Sequence, residues 1–270
     1  MGATIGFDGT AVLPRVFDLG YPNVDRGDGV WLETTDGRRV LDATSGGAMV
    51  SCFGAGVPEL AAAISAQGER LAYYYNHHFT NEPQERLAAR LLDVVAPDMA
   101  RVRFISGGSE ANETALQLAR LYHVERGDGE RWRVISPAQA YHGATMGTLA
   151  LTGRRSLQEP YLPYLAYHRH VPPATWRTDP TGEAALAELD RVLDEVGPGT
   201  VAAFVCEPVS GAALPAYSPP ARFWEGLAER RDAHGFLVCF DEVVTGVGRV
   251  GEWLAADALP LRPDIVTIGK

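Results

Sequence analysis

From Arg101 onward the chain alternates short apolar runs with amphipathic stretches, and this alternation constrains the fold more than any other feature. The runs Val102 to Ser106, Arg133 to Ser136, Val201 to Glu207, Leu237 to Val243 and Ile265 to Ile268 read as buried strands. Helical spacing fills Glu110 to Arg126, Glu183 to Val196 and Pro220 to His234. Parallel neighbours need a crossover of about a dozen residues or more, usually a helix. The pattern therefore predicts an α/β fold with a mostly parallel sheet sandwiched by helices. Open sheets of this kind bind ligands outside the carboxyl ends of their strands, so residues just past each run are the first places to look for chemistry.

The chain before Arg101 is organised differently. Val30 to Leu41 alternates around Asp36-Gly37, a dipeptide suited to a tight hairpin turn, and reads as a small β element outside the main sheet. Pro58 to Leu71 has helical spacing in spite of Gly68, and Glu82 to Val95 repeats the pattern more strongly. Gly153 to Thr181 has no period and five prolines, which predicts a long surface excursion. The expected division is residues 1–55 as an N-terminal segment, part of a small domain, and residues 56–270 as a large domain.

At 270 residues and 46% hydrophobic content the chain can bury a sizeable core. The balance of 24 basic against 34 acidic residues, a net charge of −10, disfavours nucleic acid and anionic membranes as partners. No run approaches a membrane span, and the N-terminus has no basic and apolar signal pattern. Cys52, Cys206 and Cys239 are odd in number and far apart, and the last two fall inside expected core strands. They read as reduced thiols of a cytoplasmic protein.

Four places carry residues suited to chemistry. Ser106-Gly107-Gly108-Ser109-Glu110 runs from a strand through two glycines into a helix, where free N–H groups and the positive end of the helix dipole favour an anion such as phosphate. The competing reading is a glycine turn with Ser109 as an N-cap. Tyr141-His142-Gly143 places an aromatic ring and an imidazole after the Arg133 to Ser136 strand. The ring of Tyr141 is suited to stacking on a flat heteroaromatic ligand. His142 is open to a role as acid, base or ring neighbour. Glu207 ends one strand and Asp241-Glu242 ends another, and a carboxylate after so many apolar residues is costly to desolvate without a partner. A cation or protonated nitrogen is one such partner; a salt bridge to an arginine is the alternative for Glu207 and Glu242. Finally, Lys270 follows the strand Ile265 to Ile268.

Two other patterns carry less. Gly246-Val247-Gly248-Arg249-Val250-Gly251 has the spacing of a dinucleotide fingerprint, but it is offset from its strand and no long amphipathic helix opens after it. A flexible turn is the better reading, with a nicotinamide-dependent oxidoreductase as the alternative. His77-His78 and His168-x-His170 lack Glu or Cys at metal-ligand spacing, so no metal site is expected.

An anion cup, an aromatic ring, a carboxylate and an amine in this order match the needs of pyridoxal 5′-phosphate. The sequence resembles the class III aminotransferases, the ω-transaminase and ornithine aminotransferase-like branch of the fold type I pyridoxal phosphate enzymes. The matching stretches are Ser106 to Glu113, Tyr141 to Gly143, Cys206 to Val209, Phe240 to Val243 with Thr245 to Arg249, and Pro263 to Lys270, with Leu41 to Gly47 further back.

The resemblance implies that Lys270 forms the internal aldimine with the cofactor and shuttles the substrate proton. It implies that Asp241 pairs with the pyridinium nitrogen, and that Tyr141 and Val243 cover the two faces of the ring. Gly108 and Ser109 would bind phosphate, with His142 and Glu207 beside the ring. It further implies a homodimer with the active site at its interface, an amino acid or amine as donor and a keto acid or aldehyde as acceptor. Aminomutase, decarboxylase, epimerase and phospholyase chemistry use the same residues and remain alternatives, as does a non-catalytic fragment or assembly partner. The sequence departs from the pattern at Val244, where many relatives carry a glutamine that touches the ring hydroxyl. It departs also in length, since the family continues well beyond its lysine and a chain ending at Lys270 is expected to lack half a site.

Overall fold

A computed structural model describes residues 4–6 and 9–270. The chain forms two compact units, Met1–Thr80 together with Lys270, and Asn81–Gly269.

In the N-terminal unit β1 (Thr4–Ile5) runs antiparallel to β2 (Tyr21–Pro22), and β3 (Val24–Asp28), β4 (Trp31–Thr34) and β5 (Arg39–Leu41) form an antiparallel meander. The hairpin expected at Asp36-Gly37 joins β4 to β5. Gly37 takes φ 83°, a conformation with little cost only for glycine, and the Thr34 hydroxyl donates to Asp36 across the turn. The meander's first strand, β3, lacked an alternating pattern long enough to be read. Helix α1 (Pro58–Arg70) starts on a proline, whose missing N–H costs nothing in a first turn.

The second unit opens with α2 (Glu82–Arg90), capped by Asn81, whose Oδ1 accepts from Gln84 N at 3.0 Å. A wider turn over Leu91–Val95 continues it. There follow α3 (Gly108–Glu125), β6 (Arg133–Pro137), α4 (Met146–Leu151), α5 (Arg155–Gln158), β7 (Arg169–Val171), α6 (Glu183–Val196), β8 (Val201–Cys206), α7 (Ala221–His234), β9 (Leu237–Glu242) and β10 (Ile265–Ile268). The five strands form one parallel sheet in the order β10-β9-β8-β6-β7. All six residues of β8, in the middle, are buried, which is why Val201 to Cys206 reads as an unbroken apolar run.

Alternation along the strands divides the core into two layers. Phe204 and Phe240 face one side with Leu186, Leu189, Leu193, Trp224 and Leu227 from α6 and α7. Val205 and Cys239 face the other, with Ala119 of α3 and Leu151. Each fully buried large apolar side chain contributes about 1.5–3 kcal/mol. The period of two also sorts the acids at the end of β9: Asp241 follows Cys239 onto the α3 side, and Glu242 follows Phe240 onto the opposite side.

Two expectations need correction. Val102 to Ser106 is not a strand, because no ladder forms over these residues. The sheet ends at β10 and β7, and a segment without a neighbour cannot satisfy a strand's backbone groups however apolar it is. The excursion from Gly153 to Thr181 is not wholly irregular. It contains α5, a tight helical turn over Glu159–Tyr164 and the edge strand β7, whose three residues are too few to show a period.

Candidate functional site

The chain leaves β6 for β7 on one side and returns to β8 on the other, so the winding reverses between β6 and β8. A crevice opens outside the carboxyl ends of strands at such a reversal. The segment with Tyr141 and His142 follows β6, Glu207 follows β8, and Asp241 lies near the end of β9, adjacent to β8.

Asp241 is the best-anchored of these groups. It is buried at 6% exposure, and three donors from three elements hold its carboxylate. Asn112 Nδ2, from α3, donates to Oδ2 at 2.7 Å, and His142 Nδ1 lies 2.9 Å from the same oxygen. Among the described residues Oδ1 accepts only from Val243 N, at 3.1 Å, and keeps a lone pair for another donor. His142 is fully buried and faces the carboxylate, while its Nε2 has no partner among the described residues. Its main-chain N–H donates to Thr152 Oγ1 at 3.0 Å, which fixes the turn.

Helix α3 starts at Gly108 with no side-chain cap, so its first N–H groups are free for an anion. Ser109 is not the N-cap; that position is Gly107, and Ser109 Oγ instead accepts from Ala144 N at 3.2 Å. This contact ties the helix start to the segment after Tyr141. A Cβ on Gly108 would lie 2.7 Å from Val243 Cγ1, so only glycine lets Val243 sit against the helix start. Gly143, at φ 130°, would bring a Cβ to 2.6 Å from Ser109 Oγ. The two glycines thus keep the cup open and close to Val243.

Glu207 Oε2 accepts from Tyr141 N at 3.2 Å, and Oε1 from Gly211 N at 3.1 Å. Burial pushes its carboxyl above the ordinary range, with the His142 ring the strongest opposing influence. It borders a cavity of about 30 Å³ with Ser210 and Tyr217. Glu242 behaves differently. It is fully buried, accepts from Thr245 Oγ1 at 2.8 Å, Ala255 N at 2.7 Å and Ala256 N at 2.9 Å, and caps the short helical turn Ala255–Ala258. Among the described residues neither glutamate makes the arginine salt bridge considered above; backbone N–H groups satisfy them instead.

Lys270 follows β10 by two residues, groups with the N-terminal unit and takes φ 56°; its carbonyl oxygen accepts from Cys52 Sγ at 2.9 Å. Val244, at the departure from the family pattern, sits 3.0 Å from where a Cβ on Gly211 would be. Gly246 to Gly251 forms a succession of turns, and only the short helical turn Ala255–Ala258 lies between it and β10. No metal-binding cluster of His, Cys, Asp and Glu occurs among the described residues, and no helix there is long and apolar enough to cross a membrane.

Sequence reasoning missed Asn112 and Thr267. Asn112 shares the buried stripe of α3 with Ala115, Ala119 and His123, and a polar residue at that spacing is the signal that could have found it. Thr267 lies in register with Asp241 across β9 and β10, and its hydroxyl donates to Asn112 Oδ1 at 2.6 Å.

A parallel α/β unit with an uncapped helix start and an anchored carboxylate at its strand ends defines a cofactor-binding class of protein. The family model for class-III aminotransferases matches residues 18–270, and the chain belongs to that pyridoxal phosphate-dependent family. It is 37% identical over 258 residues to an uncharacterized aminotransferase of Schizosaccharomyces pombe, covering 92% of this chain and 56% of that protein. It is 33% identical to the hypotaurine/taurine–pyruvate aminotransferase of Paracoccus denitrificans, over 95% of this chain and 55% of that one. The crystal structure of an amine transaminase from an uncultivated Pseudomonas species, described as pyridoxal phosphate-bound, superposes with a TM-score of 0.86 at 34% identity, covering 96% of this chain and 60% of that chain. The expected fold type I architecture is thereby shown. The chain spans about half the length of the curated relatives it matches.

Proposed function

We propose that this chain binds pyridoxal 5′-phosphate and belongs to an aminotransferase that moves an amino group between an amino acid or amine donor and a keto acid or aldehyde acceptor. The observation that carries the reading is the Asp241 carboxylate, buried, held by Asn112 and His142 through one oxygen and open to a further donor on the other. The cup beside it fits a phosphate, because Gly108 and Gly143 keep it clear of Cβ atoms. The cofactor, when bound, supplies an aldehyde for amines and a cationic ring that withdraws electrons.

The chain's own residues divide the remaining work. Gly108 and Ser109 bind the phosphate through backbone N–H and hydroxyl. Tyr141 and Val243 bound the ring's two faces, and His142 orients Asp241. Glu207 holds the Tyr141 main chain in place and lies beside the ring. Lys270 attaches the cofactor through its amine and moves the proton at the substrate carbon. Residues 1–55 belong to a small domain and residues 56–270 to the cofactor domain. The protein acts as a homodimer in the cytoplasm. The unpaired buried thiols Cys206 and Cys239 accord with a reducing compartment, and exposed Phe53, Tyr73 and Phe79 of the N-terminal unit accord with a covered surface.

Borohydride reduction in the presence of pyridoxal 5′-phosphate, followed by peptide mass analysis, tests the reading. The added mass is expected on the peptide holding Lys270 and is lost in Lys270→Ala. Incubation with amino donors should then yield the corresponding carbonyl products in stoichiometric amount. Lys270 is the single lysine of the sequence, so a label on the N-terminal amine alone, or no carbonyl product from any donor, would refute it.

A further inference from the structure

We infer that Asn112, its amide braced by Thr267, is a positioning residue that aims the free oxygen of Asp241 at the ring nitrogen of the cofactor. The inference rests on the reading above, in which Asp241 meets that nitrogen.

Asn112 is 4% exposed and Thr267 is 6% exposed, and both act through Asp241. The Asn112 amide has two N–H donors and one carbonyl acceptor. Its Nδ2 lies 2.8 Å from the His142 carbonyl oxygen and 2.7 Å from Asp241 Oδ2. A carbonyl and a carboxylate only accept, so Nδ2 must face them both. The Asn112 carbonyl must then face Thr267, whose hydroxyl donates to it. The two acceptors thereby fix which way the amide on α3 points, and the Thr267 hydroxyl on β10 braces it by donating to the oxygen on its far side.

The arrangement is fully used on its inner side. Oδ2 has two partners, Asn112 and His142, from α3 and from the turn after β6. Among the described residues Oδ1 has only the Val243 N–H, so rotation of the carboxylate would surrender the two contacts on Oδ2. Removing the Thr267 hydroxyl leaves the Asn112 carbonyl buried without a donor and loosens the hold of the amide on Asp241 Oδ2.

The test compares two ligands that differ only at the ring nitrogen: pyridoxal 5′-phosphate and its 1-deaza analogue, which has carbon in that place. Dissociation constants are measured for the unmodified protein and for Thr267→Val, Thr267→Ser and Asn112→Ser. Thr267→Val keeps the side-chain shape, and Asn112→Ser is an independent perturbation of the same contact. The unmodified protein is expected to prefer pyridoxal 5′-phosphate. In Thr267→Val and Asn112→Ser the preference should fall about tenfold, the loss of one hydrogen bond beside a charged group, with affinity for the analogue unchanged. Thr267→Ser should restore the preference.

A purely structural role would weaken both ligands in parallel and leave their ratio intact, and that result overturns the inference while the cofactor reading stands. An unmodified protein that binds neither ligand, or binds both equally, overturns the reading of Asp241 itself, and the inference falls with it.

Discussion

His168 offers a quantitative test of how tightly the edge of the sheet is packed. Its ring precedes β7, its Nδ1 has no partner, and burial lowers its pKa from 6.5 to about 4, with the neighbouring His170 acting in the same direction and Glu113 opposing. The folded protein therefore holds this ring neutral where the unfolded chain would protonate it. A histidine lowered in the folded state contributes full stability above its unfolded value, and that contribution is lost as pH falls from 6.5 towards 4. Linkage with these two values gives a loss of about 2 kcal/mol between pH 7 and pH 5. The perturbation is His168→Leu, which removes the titration and keeps an apolar body in the space. Urea unfolding of both proteins at pH 7 and pH 5 measures it: the difference in stability between them should shift by about 2 kcal/mol in favour of the leucine variant at the lower pH. Ring titration by carbon-labelled histidine gives a direct check, with a midpoint of about 4. A stability difference independent of pH, or a ring midpoint near 6.5, would refute the reasoning.

Two further expectations follow from geometry. Gly143→Ala places a Cβ 2.6 Å from Ser109 Oγ and 2.7 Å from Thr148 Oγ1 at φ 130°, so it should break the Ser109–Ala144 contact. Pyridoxal 5′-phosphate should then bind at least about tenfold more weakly by fluorescence titration, given a strain of order 1–3 kcal/mol. Glu242→Ala removes the acceptor for Thr245, Ala255 and Ala256 in a fully buried place. It should destabilise the protein by about 3 kcal/mol, measured as a lower urea midpoint, since each orphaned donor costs about 1–3 kcal/mol and entering water offsets part.

Much of the parallel sheet was legible because its strands are buried on both faces. Val201 to Cys206 and Leu237 to Glu242 read as strands from their unbroken apolar character, and α6 and α7 read from their spacing. Legibility failed where the deciding interaction was non-local. Val102 to Ser106 has strand composition and no neighbour, while Arg169–Val171 has little composition to speak for it and a neighbour in β6. The carboxylates show the same limit. Glu207, Asp241 and Glu242 look alike as acids at strand ends, yet the face each takes and the donors it finds give them different work.

The sequence alone determined the fold class, the order of the strands' chemistry and the family, because these depend on periodicity and on residue types in local motifs. It also determined that a carboxylate, an aromatic ring and a glycine-led helix start stand at strand ends. Only the tertiary structure decided that Asp241 is gripped by Asn112 and His142, that Thr267 donates to the Asn112 amide, and that Ser109 braces Ala144 rather than capping its helix. Those contacts join residues separated by 35 to 155 positions, and only the sheet's register and the packing of α3 against it bring them within hydrogen-bonding distance.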